Sequence, residues 1–112
     1  MKMAETGSER PRKRLIVDTE TRPALPSYVR LQHDGVRGRW VLLAPERIIS
    51  VDEIAVDILQ LCDGSRTLGR IADELAEAYD APVAEILIDI TSLLQGLADR
   101  GYIRDGSEAD AR

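Results

Sequence analysis

A histidine can act as a general base and a cysteine as a nucleophile, and this chain has one of each, His33 and Cys62. Neither has the company that such chemistry needs. His33 falls on a predicted strand beside a turn, and nothing in the sequence supplies an orienting partner or a pocket. Cys62 ends an amphipathic stretch, where a lone cysteine reads as a small core residue rather than a reactive thiol. One cysteine and one histidine cannot build a structural zinc site. The carboxylates Asp73, Glu74 and Glu77 read as the solvated face of a helix. Gly35 and Gly38 flank a hairpin, and Gly64 and Gly69 flank a helix start, so none forms a phosphate-cradling loop. The expectation is a protein that is not an enzyme and holds neither metal nor cofactor.

At 112 residues the chain has room for one domain with a modest core. It contains one Trp, three Tyr and no Phe, too few aromatics to stack the bases of a single strand. Residues 1–27 carry a net charge of +2, residues 28–104 a net of −5 and residues 105–112 a net of −2. The predicted folded part is thus acidic, which disfavours a phosphate backbone as its partner. A single cysteine rules out an intrachain disulfide. No apolar run approaches the ~20 residues of a membrane span, and the N-terminus lacks the apolar stretch of a signal peptide. A cytoplasmic protein is expected.

The elements follow from periodicity. Residues 1–26 read as a flexible basic tail or linker: they include the run Arg10-Pro11-Arg12-Lys13-Arg14, a short Leu15-Ile16-Val17, and Pro23 and Pro26. The domain is expected over 27–104, with a disordered tail over 105–112. Tyr28–Asp34 alternates apolar and polar as a half-buried strand. Asp34 to Gly38 is a glycine-rich turn. Arg39–Ala44 is apolar on both faces, as a central strand should be. Pro45 sets a sharp corner, and Arg47–Val51 is the third strand. Ser50 to Glu53 matches a capping box for a first helix running to about Cys62, with Ile54, Ile58 and Leu61 or Cys62 inward. Thr67 caps a second helix that ends near Asp80. The third runs from Pro82 to Arg100, with Val83, Ile86, Leu87, Ile90, Leu94 and Leu97 on one face. Gly101 stops it, and Tyr102-Ile103-Arg104 adds a short strand. The fold class is α+β: a small winged-helix-like domain, a three-stranded antiparallel sheet followed by three helices and a short C-terminal strand.

Winged helices often bind DNA, so a DNA-binding regulator is the alternative reading. A recognition helix needs cations and donors. The third helix offers Glu85, Asp89 and Asp99 against Arg100, and the second offers Arg70 against Asp73, Glu74 and Glu77. Both would be repelled. The better surface is the third strand, Arg47, Ile48, Ile49, Ser50 and Val51, an expected edge with free backbone groups and little to block pairing. Four or five hydrogen bonds to a guest strand at ~1 kcal/mol each give only about millimolar binding. Apolar anchors are needed too, and the third helix can supply them through Ile86, Ile90, Leu93 and Leu97, with Asp89 beside them near the rim.

Arg39-Trp40-Val41-Leu42-Leu43-Ala44-Pro45-Glu46-Arg47, Asp52, Ile58-Leu59 and Leu61-Cys62-Asp63-Gly64 together resemble the pyrroloquinoline quinone (PQQ) biosynthesis protein D family, PqqD, over about Tyr28 to Tyr102. The L-L-A-P-E and C-D-G segments are the specific part. The resemblance implies a RiPP recognition element, a noncatalytic chaperone that binds the precursor peptide PqqA and presents it to the radical S-adenosylmethionine enzyme PqqE. In related domains the leader peptide adds as a strand beside the third strand, against the third helix. By position this implies the site just named. Some members are fused to another pathway enzyme, a role the N-terminal tail would suit as a linker.

Overall fold

The computed structural model describes residues 14–107. Three strands form an antiparallel sheet in the order β2-β3-β4: β2 is Arg30–Asp34, β3 is Arg39–Ala44 and β4 is Arg47–Val51. Three helices follow, α1 (Glu53–Gln60), α2 (Leu68–Tyr79) and α3 (Val83–Asp99). Two further strands of two residues each, β1 (Pro23–Ala24) and β5 (Arg104–Asp105), pair with each other away from the main sheet. This is the expected α+β fold.

Register explains why β3 is apolar on both sides. Leu42 pairs with Leu31 and Ile49, and all three side chains turn toward the helices. Val41 and Leu43 turn the other way. Leu42, Leu68, Ile71, Ile90 and Leu94 are fully buried, so the core lies between the sheet and α2 with α3. The corner between β3 and β4 takes only two residues, Pro45 and Glu46. Proline fixes a negative φ at the first, and Glu46 sits at φ 59°, the combination of a type II turn.

Several expectations are corrected. Ser50 does not cap α1, because it is still paired in β4; Asp52 does so, accepting from the Ala55 N–H at 2.8 Å. The helix ends at Gln60, with Leu61 as its cap, and Ile54 faces outward, because Ala55, Ile58 and Leu59 form the buried face. The short C-terminal strand sits at Arg104–Asp105 rather than at 102–104.

The larger correction concerns the N-terminal segment, expected to be a linker to residue 26. Residues 14–26 are packed onto the domain. Val17 is 5% exposed, and Thr21, Pro23, Ala24 and Pro26 are buried. Their backbone is tied down along its length. Leu68 donates to the Thr21 carbonyl at 2.7 Å, Gly69 to Thr19 at 3.0 Å and Gly64 to Pro23 at 2.9 Å. Gly64 is in the left-handed region at φ 84°, and an added Cβ would stand 3.3 Å from that of Ala24, so the turn and the close approach both need glycine. The rest of the expected tail, with most of the basic run, and the stretch 108–112 lie outside the described residues.

Gln95 on α3 is the main clasp. Its Oε1 accepts the Val17 N–H at 2.8 Å and its Nε2 donates to the Leu15 carbonyl at 2.8 Å. Arg14 then makes a two-pronged ion pair with Asp99, at 2.8 and 2.9 Å. That pairing, with a further bond from Gln95, holds the Asp99 carboxyl below its usual range.

Candidate functional site: an open strand edge

β4 closes the sheet on one side, and among the described residues no strand pairs with its outer edge. Alternate residues of such a strand direct N–H and C=O groups outward, ready for a guest. The opposite edge, β2, reads R-L-Q-H-D; β4 reads R-I-I-S-V and is the more apolar of the two.

The expected site residues divide by where their side chains go. Arg47, Ile49 and Val51 lie on the helix side of β4; Ile49 and Val51 are half-buried against the core. Ile48 and Ser50 lie on the opposite side, and Ile48 is 71% exposed. They can offer a guest on the helix side only their backbone. On α3, Ile86 and Leu93 are half-buried at the rim of the same core, and Asp89 is exposed. At 100° per residue these three share one flank of the helix. Ile90 and Leu97 do not belong with them: at 1% and 6% exposure they are interior, committed to the core with Leu94. The expected residues that keep apolar side-chain surface at the margin of the core are therefore Ile49 and Val51 on β4 and Ile86 and Leu93 on α3, with Arg47 and Asp89 exposed.

Gln95 and Asp99 were not anticipated as structural anchors. The only sequence signal is a glutamine inside the run Leu93-Leu94-Gln95-Gly96-Leu97. His33 is exposed and meets Trp40, its partner across β2 and β3, edge to face at 5.2 Å. Cys62 is buried, its Sγ 3.3 Å from the Ile58 carbonyl. Burial, with the neighbouring Asp63 charge, pushes the thiol up to about 12, so it carries no thiolate at neutral pH. Among the described residues no group of three or more His, Cys, Asp or Glu side chains is placed to hold a metal ion, and no helix is long and apolar enough to cross a membrane.

The domain is α+β of winged-helix type, with an edge strand at β4 that is unpaired among the described residues. Comparison with known proteins specifies its family. Residues 39–103 match the family described as coenzyme PQQ synthesis protein D (PqqD), and the chain belongs to that family. It is 50% identical over 96 residues to the PqqA binding protein of Rhodopseudomonas palustris strain TIE-1, covering 86% of this chain and 94% of the relative. It is 46% identical over 88 residues to the PqqA binding protein of Xanthomonas oryzae pv. oryzae, covering 79% and 96%. Among solved structures it resembles the PqqD truncation of Methylobacterium extorquens PqqCD, described as a functional, stand-alone RiPP recognition element. That likeness has a TM-score of 0.64 at 46% identity, over 73% of this chain and 87% of the other. The crystal structure of PqqD from Xanthomonas campestris gives 0.51 at 44% identity, over 72% and 90%.

Proposed function

We propose that this chain binds the precursor peptide PqqA in PQQ biosynthesis, acts by binding rather than catalysis, and presents the peptide to the radical SAM enzyme PqqE in the cytoplasm. The peptide adds as a fourth strand along the outer edge of β4 and seats apolar side chains against Ile49, Val51, Ile86 and Leu93. The unpaired edge of β4 carries this reading. The names of the relatives and the description of the M. extorquens domain support the choice of peptide.

An amide NMR titration of the full chain with PqqA tests it. Signals of Arg47–Val51 and of Ile86–Leu93 should move. Alternation from the Ala44–Arg47 closing pair turns the Ser50 N–H outward, so Ser50→Pro removes an edge donor and should weaken binding about tenfold or more, since a hydrogen bond and its strand geometry are worth ~1–2 kcal/mol. Leu93→Glu should do the same by charging the rim. Unchanged affinity in variants that still melt cooperatively would rule the site out. Adding PqqE to the loaded domain tests presentation separately.

A further inference from the structure

The sheet has a second face, turned away from the helices. Register places Arg30, Leu43 and Ile48 in one row across it, Gln32, Val41 and Ser50 in the next, and Asp34 with Arg39 in the third. Val41 is buried at 4% exposure although it lies outside the main hydrophobic cluster, so neighbours on this face cover it. With half-buried Leu43 and exposed Ile48 it makes an apolar stripe on an otherwise polar surface. The stripe lies in an open depression of about 460 Å³, also lined by Arg37 and Arg39.

Charge on this face runs against the rest of the chain. Here Arg30, Arg37 and Arg39 stand against Asp34, a net of +2 in a chain whose formal net charge is −5. Asp34 is already committed: it accepts from the Val36 and Arg37 N–H groups and pairs with the Arg37 guanidinium at 3.3 Å. Arg30 and Arg39 are exposed, and no ion pair engages either among the described residues. Both edges of β3 are already paired, so at the centre of this face only side chains are on offer, not backbone. Exposed arginines flanking an apolar centre fit a protein interface, where arginine is enriched and apolar contact is concentrated at the middle. They fit nucleic acid poorly, because the stripe offers phosphates nothing and the remaining charge of the chain repels them.

We propose that this outer face docks a folded partner protein through an acidic patch with an apolar centre, leaving the β4 edge and the α3 rim free for the peptide. Arg30 and Arg39 steer the encounter, and Leu43 and Ile48 fill its centre over the buried Val41. The inference rests on the presentation reading for its probe, PqqE.

The test uses the full chain, PqqE and PqqA, with Arg30→Glu/Arg39→Glu as the variant and Arg30→Lys/Arg39→Lys as its charge-preserving control. Reversing both charges should weaken PqqE binding roughly tenfold to hundredfold at low salt, with the difference shrinking as salt rises. The lysine control should keep most of the affinity, and both variants should titrate with PqqA as wild type does. Equal PqqE affinity in wild type and the Glu variant overturns the proposal. So does a wild-type chain that takes PqqA and ignores PqqE, which leaves strand addition standing. Salt-sensitive binding of duplex DNA that the Glu variant abolishes reassigns the face to nucleic acid. Failure of PqqA alone, with the PqqE results as expected, sinks strand addition and not this interface.

Discussion

Replacing Gln95 with alanine measures whether the N-terminal segment belongs to the folded unit. The variant deletes the acceptor for the Val17 N–H and the donor for the Leu15 carbonyl, both bonds at 2.8 Å. At ~1 kcal/mol net each the loss is about 2 kcal/mol, and more if the Val17 N–H stays buried without a partner. For a domain of this size that corresponds to a fall in melting temperature of roughly 8–16 °C. Urea denaturation should give a midpoint lower by about 1 M, at a slope near 2 kcal/mol/M. Glutamate is the sharper substitution. Its carboxylate still accepts from Val17 but sets an oxygen against the Leu15 carbonyl and a like charge near Asp99. It should therefore lose about as much as alanine while leaving the Val17 amide protected from hydrogen exchange. The decisive experiment repeats Gln95→Ala in a chain that starts at residue 18. There the substitution should cost far less, since Val17 and Leu15 are gone and only the exposed bond to Asp99 remains to be lost. An equal cost in the long and short chains would refute the clasp, and so would a long-chain loss under about 0.5 kcal/mol, the size of an ordinary surface substitution.

Cys62 should resist thiol-modifying reagents at pH 8 in the native protein and react on unfolding; rapid native labelling would contradict its burial. Tyr79 should ionise late, at about 12, because its hydroxyl donates to Asp57 and the phenolate would face that carboxylate. Ultraviolet titration should show a late phenol, absent in Tyr79→Phe. Its folded value is raised, so the stability it lends is complete below the ordinary tyrosine range and is lost as pH climbs through about 12. Asp34, Asp63, Asp99 and Glu74 have the opposite sign: hydrogen bonds from backbone N–H groups or arginine side chains hold their carboxyls low. Their contribution is present above the usual carboxylate range and lost as pH falls below about 4. Asp63→Asn should flatten that acid decline, and an unaltered profile would remove Asp63 from the explanation.

The sheet, the three helices and the edge were readable because each rests on a periodic signal. Period two in β2, a two-sided apolar run in β3 and a long 3.6-residue pattern in α3 leave few alternatives. What was not readable has a common physical origin. The segment 14–26 has no period of its own and is held by backbone groups that meet Gln95, Leu68, Gly69 and Gly64, all distant in sequence. Composition reports such a segment as a linker. The error at Ser50 is of another kind: β4 pairing runs on through Val51, so the helix starts later than the capping box implies and Asp52 takes the cap. In the site, helical spacing set Ile86, Ile90, Leu93 and Leu97 on one broad face. Spacing alone cannot say how deep each residue of that face sinks, so Ile90 and Leu97 were grouped with the rim when they belong to the interior.

The pairing of β1 with β5 also fixes where the domain can be attached to something else. Pro23 lies opposite Asp105, the Gly106 N–H donates to the Arg22 carbonyl at 2.6 Å, and Arg14 and Ser107 line one shallow depression. The chain thus comes into the domain and leaves it through one common gate, fastened by its own two short strands. A tether joined at Arg14 or at Ser107 starts from the same spot, so an enzyme appended before the domain and a tail trailing after it would compete for that spot and not for β4. Fusion and circular permutation become the same operation here. Joining Arg14 to Ser107 with a short loop and opening the chain elsewhere should leave the sheet in register.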